Sequence, residues 1–268
     1  MNLVNGPFNA QYGEFSGLGV VNIKTREEMP NQLTGRAQFG QFGTRRVFAA
    51  YSPTFKNTRM LFANEYSYSD GPYEQPLKYT RDNFTATLFH TVRPGENFGF
   101  RLLGAYNDFF SAGQLPLDQI EAGKLDLFGF VDPTDGGLSK SGTVTGYYSK
   151  EFKNGDRVNV NGMVNRVLFD LYSNFTFFLN NPEDGDGIGQ HDSRLQEALN
   201  ATYNKPHQLF GGLGNFTGGF NYLGNQLNLG LYNRIGRVTT DAVTSADVKI
   251  NNPGYFIQEN LTLAKGRI

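Results

Sequence analysis

From Leu33 to Leu263 the chain repeats one pattern, segments of alternating apolar and polar residues separated by links that are alternately short and long. Between Arg59 and Ser69, Met60, Phe62, Tyr66 and Tyr68 share one face, and Leu61, Ala63, Glu65 and Ser67 share the other. The segment Phe98 to Phe109 sets Phe98, Phe100, Leu102, Gly104 and Tyr106 against Gly99, Arg101 and Asn107. A period of two belongs to strands with two different environments on their faces, and it excludes amphipathic helices. No stretch approaches the ~18 consecutive apolar residues of a transmembrane helix. A transmembrane barrel stays open, because its strands show only alternation.

Composition selects among all-β folds. Rings make up 14% of the chain, 24 Phe and 14 Tyr, beside 33 Gly, yet the mean hydropathy is -0.44. A soluble core would hide such rings, whereas a membrane barrel sets them at its two interfaces and fills its lumen with polar side chains. Lys plus Arg number 24 against 25 Asp plus Glu, so no global field recommends nucleic acid as a partner. The absence of cysteine removes disulfides, thiolate metal sites and Cys nucleophiles. The fold class expected is all-β, an antiparallel transmembrane β-barrel of about ten strands in this chain.

The strands read as Leu33 to Phe42, Thr44 to Ser52, Arg59 to Ser69, Thr80 to Thr91, Phe98 to Phe109, Thr143 to Phe152, Arg157 to about Phe178, Ser193 to Tyr203, Phe216 to Leu223 and Gly254 to Leu263. Tight links are expected at Pro53 to Asn57, at Arg93-Pro94-Gly95-Glu96, at Lys153-Asn154-Gly155-Asp156, and beginning at Asn204-Lys205-Pro206-His207. Long links are expected at Asp70 to Lys78, Ser111 to Lys140, Asn180 to Gln190 and Asn225 to Asn252.

The opening stretch does not follow this pattern. Asn5 to Arg26 carries a Gly-Pro turn at Gly6 and Pro7, a Tyr-Gly step at Tyr12 and Gly13, a small-residue hinge at Ser16, Gly17 and Gly19, and then Val20-Val21-Asn22-Ile23. That order resembles the end of the plug domain of TonB-dependent outer-membrane receptors, where Gly6, Pro7, Tyr12, Gly13, Gly19 and Asn22 would be structural. The order Gly113-Gln114-Leu115-Pro116, Glu121-Ala122-Gly123 and Phe128-Gly129 is similar to an external loop of the same family, and Gly254 to Glu259 to a returning barrel strand. The resemblance implies residues 1–27 as the end of a plug domain and 28–268 as the first portion of a barrel. It further implies energised uptake of a scarce ligand, such as a metal chelate, cobalamin or an oligosaccharide, across the bacterial outer membrane. Outer-membrane lipid would surround the wall, and the TonB complex would act through residues missing from this chain. No cofactor and no enzymatic activity are implied. Met1 to Val4 offers neither a basic start nor an apolar run, so a fragment or truncated reading frame is expected. Plugged transporters have about 22 strands, more than twice those read here.

Under this reading the long links meet the ligand, and Tyr73, Tyr79, Phe109, Phe110 and Phe128, in or beside them, are the candidate contacts, since rings stack on sugars and chelates. The same rings would equally serve as interface anchors. His191-Asp192 is the one adjacent His-carboxylate pair, and a self-contained barrel protease would need it at the external rim. A small passive porin is the other alternative. Glu183-Asp184-Gly185-Asp186-Gly187 has carboxylates spaced as a calcium loop might want them, but it lacks the remaining ligands of a known motif and reads as an acidic turn. Gly211-Gly212-Leu213-Gly214 reads as a turn rather than a phosphate loop. The Asn-x-Thr matches at Asn83, Asn174, Asn200, Asn215 and Asn260 follow from alternation itself.

Overall fold

Strands with an apolar and a polar face bury neither alone, so they pair edge to edge until one continuous surface faces each environment. The computed structural model describes residues 2–6, 10–12, 17–23, 25–30 and 32–262. Two short strands, β1 (Asn2–Asn5) and β2 (Gly19–Asn22), pair antiparallel with Asn2 opposite Asn22 and Asn5 opposite Gly19. The large sheet follows in chain order: β3 (Leu33–Phe39), β4 (Arg45–Tyr51), the two-residue β5 (Thr54–Phe55), β6 (Thr58–Ser69), β7 (Tyr79–Arg93) and β8 (Glu96–Phe110). After a loop containing the one-turn helix α1 (Leu117–Glu121) come β9 (Gly136–Glu151), β10 (Arg157–Ser173), β11 (Ile188–Leu209), β12 (Gly212–Ile235) and β13 (Val238–Thr262). Every neighbour is antiparallel and sequential, an up-and-down meander in which β3 and β13 are the outer strands and β5 adds to β6 alone. No helix among the described residues is long and apolar enough to cross a membrane.

The ladder register identifies the inner face. Arg59, Phe89, Gly99, Tyr147, Asn161, Asn200 and Asn221 occupy one continuous row from β6 to β12. At one end of that row Arg59 Nη2 lies 3.1 Å from Glu27 Oε2, and at the other Asn221 Nδ2 donates to the Gln11 carbonyl at 3.0 Å. Glu27 and Gln11, both ahead of the sheet, therefore meet this face. Within the row the Tyr147 ring lies over Gly99, where any Cβ would overlap it, and the Arg59 guanidinium stacks on Phe89 at 4.4 Å. Ser52 ties the chain's entry into the sheet: its Oγ accepts from Met29 N at 3.0 Å and donates to the Met60 carbonyl at 3.0 Å.

Several links differ from the expectation, each for a local reason. Strand β11 runs through Asn204-Lys205-Pro206-His207, and the turn falls at Phe210-Gly211, both with positive φ (51° and 74°). Proline is tolerated because β10 ends opposite Asn204, so Pro206 has a neighbour only on its β12 side. The span Asn225 to Asn252 is a hairpin closed by the two-residue turn Gly236-Arg237, with φ +59° at Gly236. Strand β10 ends at Ser173 rather than near Phe178, and β9 begins at Gly136, inside the expected Ser111 to Lys140 loop. Strands β11 to β13 have 22, 24 and 25 residues. At about 3.3 Å per residue they far exceed the 9–11 residues of a typical membrane-spanning strand.

Candidate functional site: the external rim and the inner wall

The long links lie at one end of the sheet and pack on one another. Glu74 N donates to the Phe128 carbonyl at 3.0 Å, Phe110 N to Leu77 O at 2.7 Å, and Gln75 Nε2 to Pro133 O at 2.5 Å. Of the five candidate rings, Tyr73 and Phe128 meet edge to face at 6.2 Å between centroids, and both are exposed. Tyr79 and Phe109, on the inner face by register parity, tilt together at 6.3 Å. Phe110 lies apart from both pairs, under the Arg237 guanidinium at 4.0 Å with Lys78 Nζ at 5.7 Å.

The strongest polar cluster of the rim was not among the sequence candidates. The Arg234 side chain, 1% exposed, donates through Nη2 to Asp135 Oδ1 at 2.6 Å and reaches Asp132 Oδ2 at 3.5 Å. Its Nη1 donates to Thr134 Oγ1 at 2.6 Å and to the Gly236 carbonyl, and its Nε to Ile188 O at 3.1 Å. Arg237, on the same hairpin tip, donates to Thr134 O at 3.0 Å and Phe109 O at 2.9 Å. Asn174, just past β10, donates to Asp132 Oδ2 at 3.2 Å. Burial raises the Asp132 pKa, but hydrogen bonds from Thr134 and Asn174 and the Arg234 charge outweigh it and hold the group below its usual range. Burial, then the Asp132 charge, pushes Asp135 up to about 6 against the pull of Arg234. The signal that could have found this cluster is thin: Asp132-Pro133-Thr134-Asp135-Gly136-Gly137 reads as a turn, and Arg234 follows it by about a hundred residues.

The inner wall has two chemistries. By parity with Arg59 and Asn221, its β3 to β8 half presents Arg36, Arg46, Arg59, Arg81 and Arg101 against the single acid Glu65. Glu65 accepts from Arg46 at 2.5 Å and from Arg81 at 2.6 Å, and Arg59 is matched by Glu27 and Glu28. Among the described residues Arg36 and Arg101 have no ion-pair partner. The β9 to β13 half carries an amide ladder in which Thr143 Oγ1 donates to Asn165, Asn165 Nδ2 to Gln196, and Gln196 Nε2 to Asn225, at 2.9, 2.9 and 3.0 Å.

The remaining candidates fall as follows. Gly6 (φ +73°) and Gly19 (φ +143°) hold conformations that favour glycine, Asn22 pairs with Asn2, and Tyr12 lines a cavity of about 400 Å³ with Asn200, Asn221 and Asn252. Pro7 and Gly13 lie outside the described residues. His191 takes Asp170 as its partner, Nδ1 to Oδ1 at 2.6 Å, while the adjacent Asp192 pairs with Arg194. His191 and Asp170 share the outer face, opposite to Asn221. In the acidic link, Asp186 accepts from Asn180 N and Asn181 N at 3.0 and 2.8 Å, and from Thr176 Oγ1 at 2.8 Å, so its carboxylate closes the loop on itself. Among the described residues no three His, Asp or Glu gather as metal ligands.

No family model and no curated protein matches the sequence. Solved structures do, and they show the fold: the chain has the architecture of the outer-membrane receptor barrels that its sequence resembles. The ferric-catecholate import receptor Fiu of E. coli K12 in its open form matches 98% of the chain at TM-score 0.75 and 10% identity. The ferripyoverdine receptor of the Pseudomonas aeruginosa outer membrane, bound to ferripyoverdine, matches 98% at TM-score 0.70 and 14% identity. The ferric citrate transporter FecA, unliganded, matches 86% at TM-score 0.66 and 10% identity. The chain spans 47%, 39% and 34% of those three proteins.

Proposed function

We propose that the chain is part of a TonB-dependent outer-membrane receptor, residues 1–27 closing a plug domain and 28–268 forming the first portion of the barrel, and that the whole protein imports an anionic metal chelate. The observation that carries the ligand class is the arginine half of the inner wall, where five arginines face one strand-borne carboxylate. A cleft lined by one sign of charge between low-dielectric walls concentrates ligands of the other sign. The neighbours in fold support a chelate over a sugar: one is an import receptor for ferric catecholates, another a ferric citrate transporter. In this reading the rim rings, Tyr73 with Phe128 and Tyr79 with Phe109, meet the ligand first, and Phe110 serves the rim by anchoring Arg237; their pairing supports it.

The test is uptake by cells carrying the intact gene, a deletion, or the intact gene with Arg36→Gln and Arg101→Gln. Labelled ferric citrate, a ferric catecholate, cobalamin and a maltooligosaccharide are offered in turn under iron limitation. Uptake of one ferric chelate should fall in the deletion to the background of a strain lacking TonB, and an uncoupler should reproduce that loss. The double variant should slow that chelate and leave outer-membrane abundance unchanged. Uptake that survives the uncoupler would indicate a passive porin, and a deletion phenotype confined to cobalamin or sugar would overturn the anionic class.

A further inference from the structure

The 70–78 link, the 111–135 link, the end of β10 and the β12–β13 tip converge on one buried cluster whose charges do not balance. Asp132 and Asp135 both lean on Nη2 of Arg234, and all three side chains are nearly or wholly removed from solvent. Arg237 does not make up the difference, because it is spent on the backbone carbonyls of Thr134, Phe109 and Asp135 and on Asp108 at 3.6 Å. The other groups facing the cluster add no free positive charge. Tyr172 on β10 receives Arg234 and Arg237 over its ring, at 5.9 and 4.9 Å. Asp170 is held by His191, and Lys78 lies beyond Phe110. The side-chain Oδ1 of Asn174, also in the cluster, is buried without a donor.

We propose that Asp132, Asp135 and Arg234 form a proton-dependent clasp over the external links, tight when it takes up one proton and loosened when both carboxylates are charged. Asp132, Thr134 and Asp135 belong to one link and Arg234 and Arg237 to the tip of another, so opening the clasp frees the 111–135 link from the hairpin. Phe128 rides on that link, which connects the clasp to the exposed ring pair with Tyr73. Uptake of one proton leaves one carboxylate for one guanidinium and adds one O–H donor to the cluster. Asp135 is the site of uptake, since its pKa stands near 6 in the closed clasp against 3.8 for an ordinary aspartate. The closed state thus binds the proton more tightly than the open one, and acid favours closure as pH falls from about 6 toward 4.

Hydrogen exchange of the full-length receptor in detergent, at pH 7.5 and pH 5.0 with intrinsic rates corrected, reads the clasp without any ligand. In the wild type, protection across residues 128–136 and 234–238 should rise roughly tenfold at the lower pH, the scale a shift of this size allows. Asp135→Asn, which fixes the neutral form, should be protected at both pH values and show no response. Equal or lower protection at pH 5.0 in the wild type overturns the clasp, and so does an Asp135→Asn variant that keeps the wild-type response. The wild-type comparison decides the matter even where the variant folds poorly.

Discussion

Two of the three-charge clusters in the molecule have opposite compositions. On the inner wall two arginines, Arg46 and Arg81, share one acid, Glu65, and at the rim two acids, Asp132 and Asp135, share one arginine, Arg234. Each has one charge in surplus, so electrostatic count alone would rank them alike. Burial separates them. The Arg46 and Arg81 side chains are 43% and 36% exposed, so solvent screens the surplus, whereas the Arg234 side chain is 1% exposed. Removing a partner from a water-washed pair leaves a solvated ion, and removing one from a dry cluster leaves a stranded charge.

The largest effect should come from Arg234→Ala. It strands two carboxylates where the 111–135 link meets the β12–β13 tip, and breaking a buried cluster in this way costs about 3–5 kcal/mol. Urea unfolding followed by tyrosine fluorescence, together with protease sensitivity of the 111–135 link, would register it. A loss below about 1 kcal/mol would place the clasp in the same class as a surface pair.

Next in size is the pH dependence of the rim. Because the Asp135 pKa is raised, its contribution is fully present below about 4 and is lost as pH rises through about 6. The loss is on the order of 2–3 kcal/mol for a shift of this kind. Local stability of the rim should therefore rise as pH falls from 7 to 5. Asp135→Asn should flatten the curve and, at pH 7, leave the rim no less stable than the wild type. A curve that falls with acid over this window would reverse the assignment.

The smallest effect belongs to Glu65→Gln. It frees two arginines that already reach water, so the fold should lose less than about 1 kcal/mol. Its consequence should appear in transport, where two released guanidinium groups hold an anionic chelate longer; uptake kinetics of the same labelled chelate would show a lower half-saturation. A large loss of thermal stability would mean that the inner cluster is as dry as the outer one.

What the chain discloses before folding follows the same division between wet and dry. The segments from β6 to β8 are legible because their two faces carry different chemistry, apolar outside and polar within, which enforces alternation, as in Met60 to Tyr68. Strands β12 and β13 are not, because their outer portions carry polar residues on both faces: Gln226 and Asn228 lie on one, Asn225 and Asn233 on the other. A strand washed on both sides has no period to read, so the hairpin passes for a polar loop. Pro206 misleads for a different reason, since a proline is a stop only where a neighbouring strand needs the N–H it lacks. The aromatic candidates were visible as rings in links, but their pairing depends on how the links stack. Asp132, Asp135, Arg234 and Arg237 were silent, for no local pattern marks residues about a hundred positions apart that will share one dry site.

The contact of Glu27 and Gln11 with the inner face of the sheet is the feature on which the rest depends most. These 268 residues contain no cysteine, so within them an engineered pair is the only pair of thiols. Glu27→Cys combined with Arg59→Cys, in the full-length receptor in native outer membranes, should be joined by a short bifunctional thiol reagent, because those side chains meet at 3.1 Å. Glu27→Cys with Met60→Cys, one residue along and on the opposite face, should not be. Cross-linking of the first pair alone is the predicted result. Failure of the first pair, or joining of the second in its place, would contradict a plug end held inside the wall.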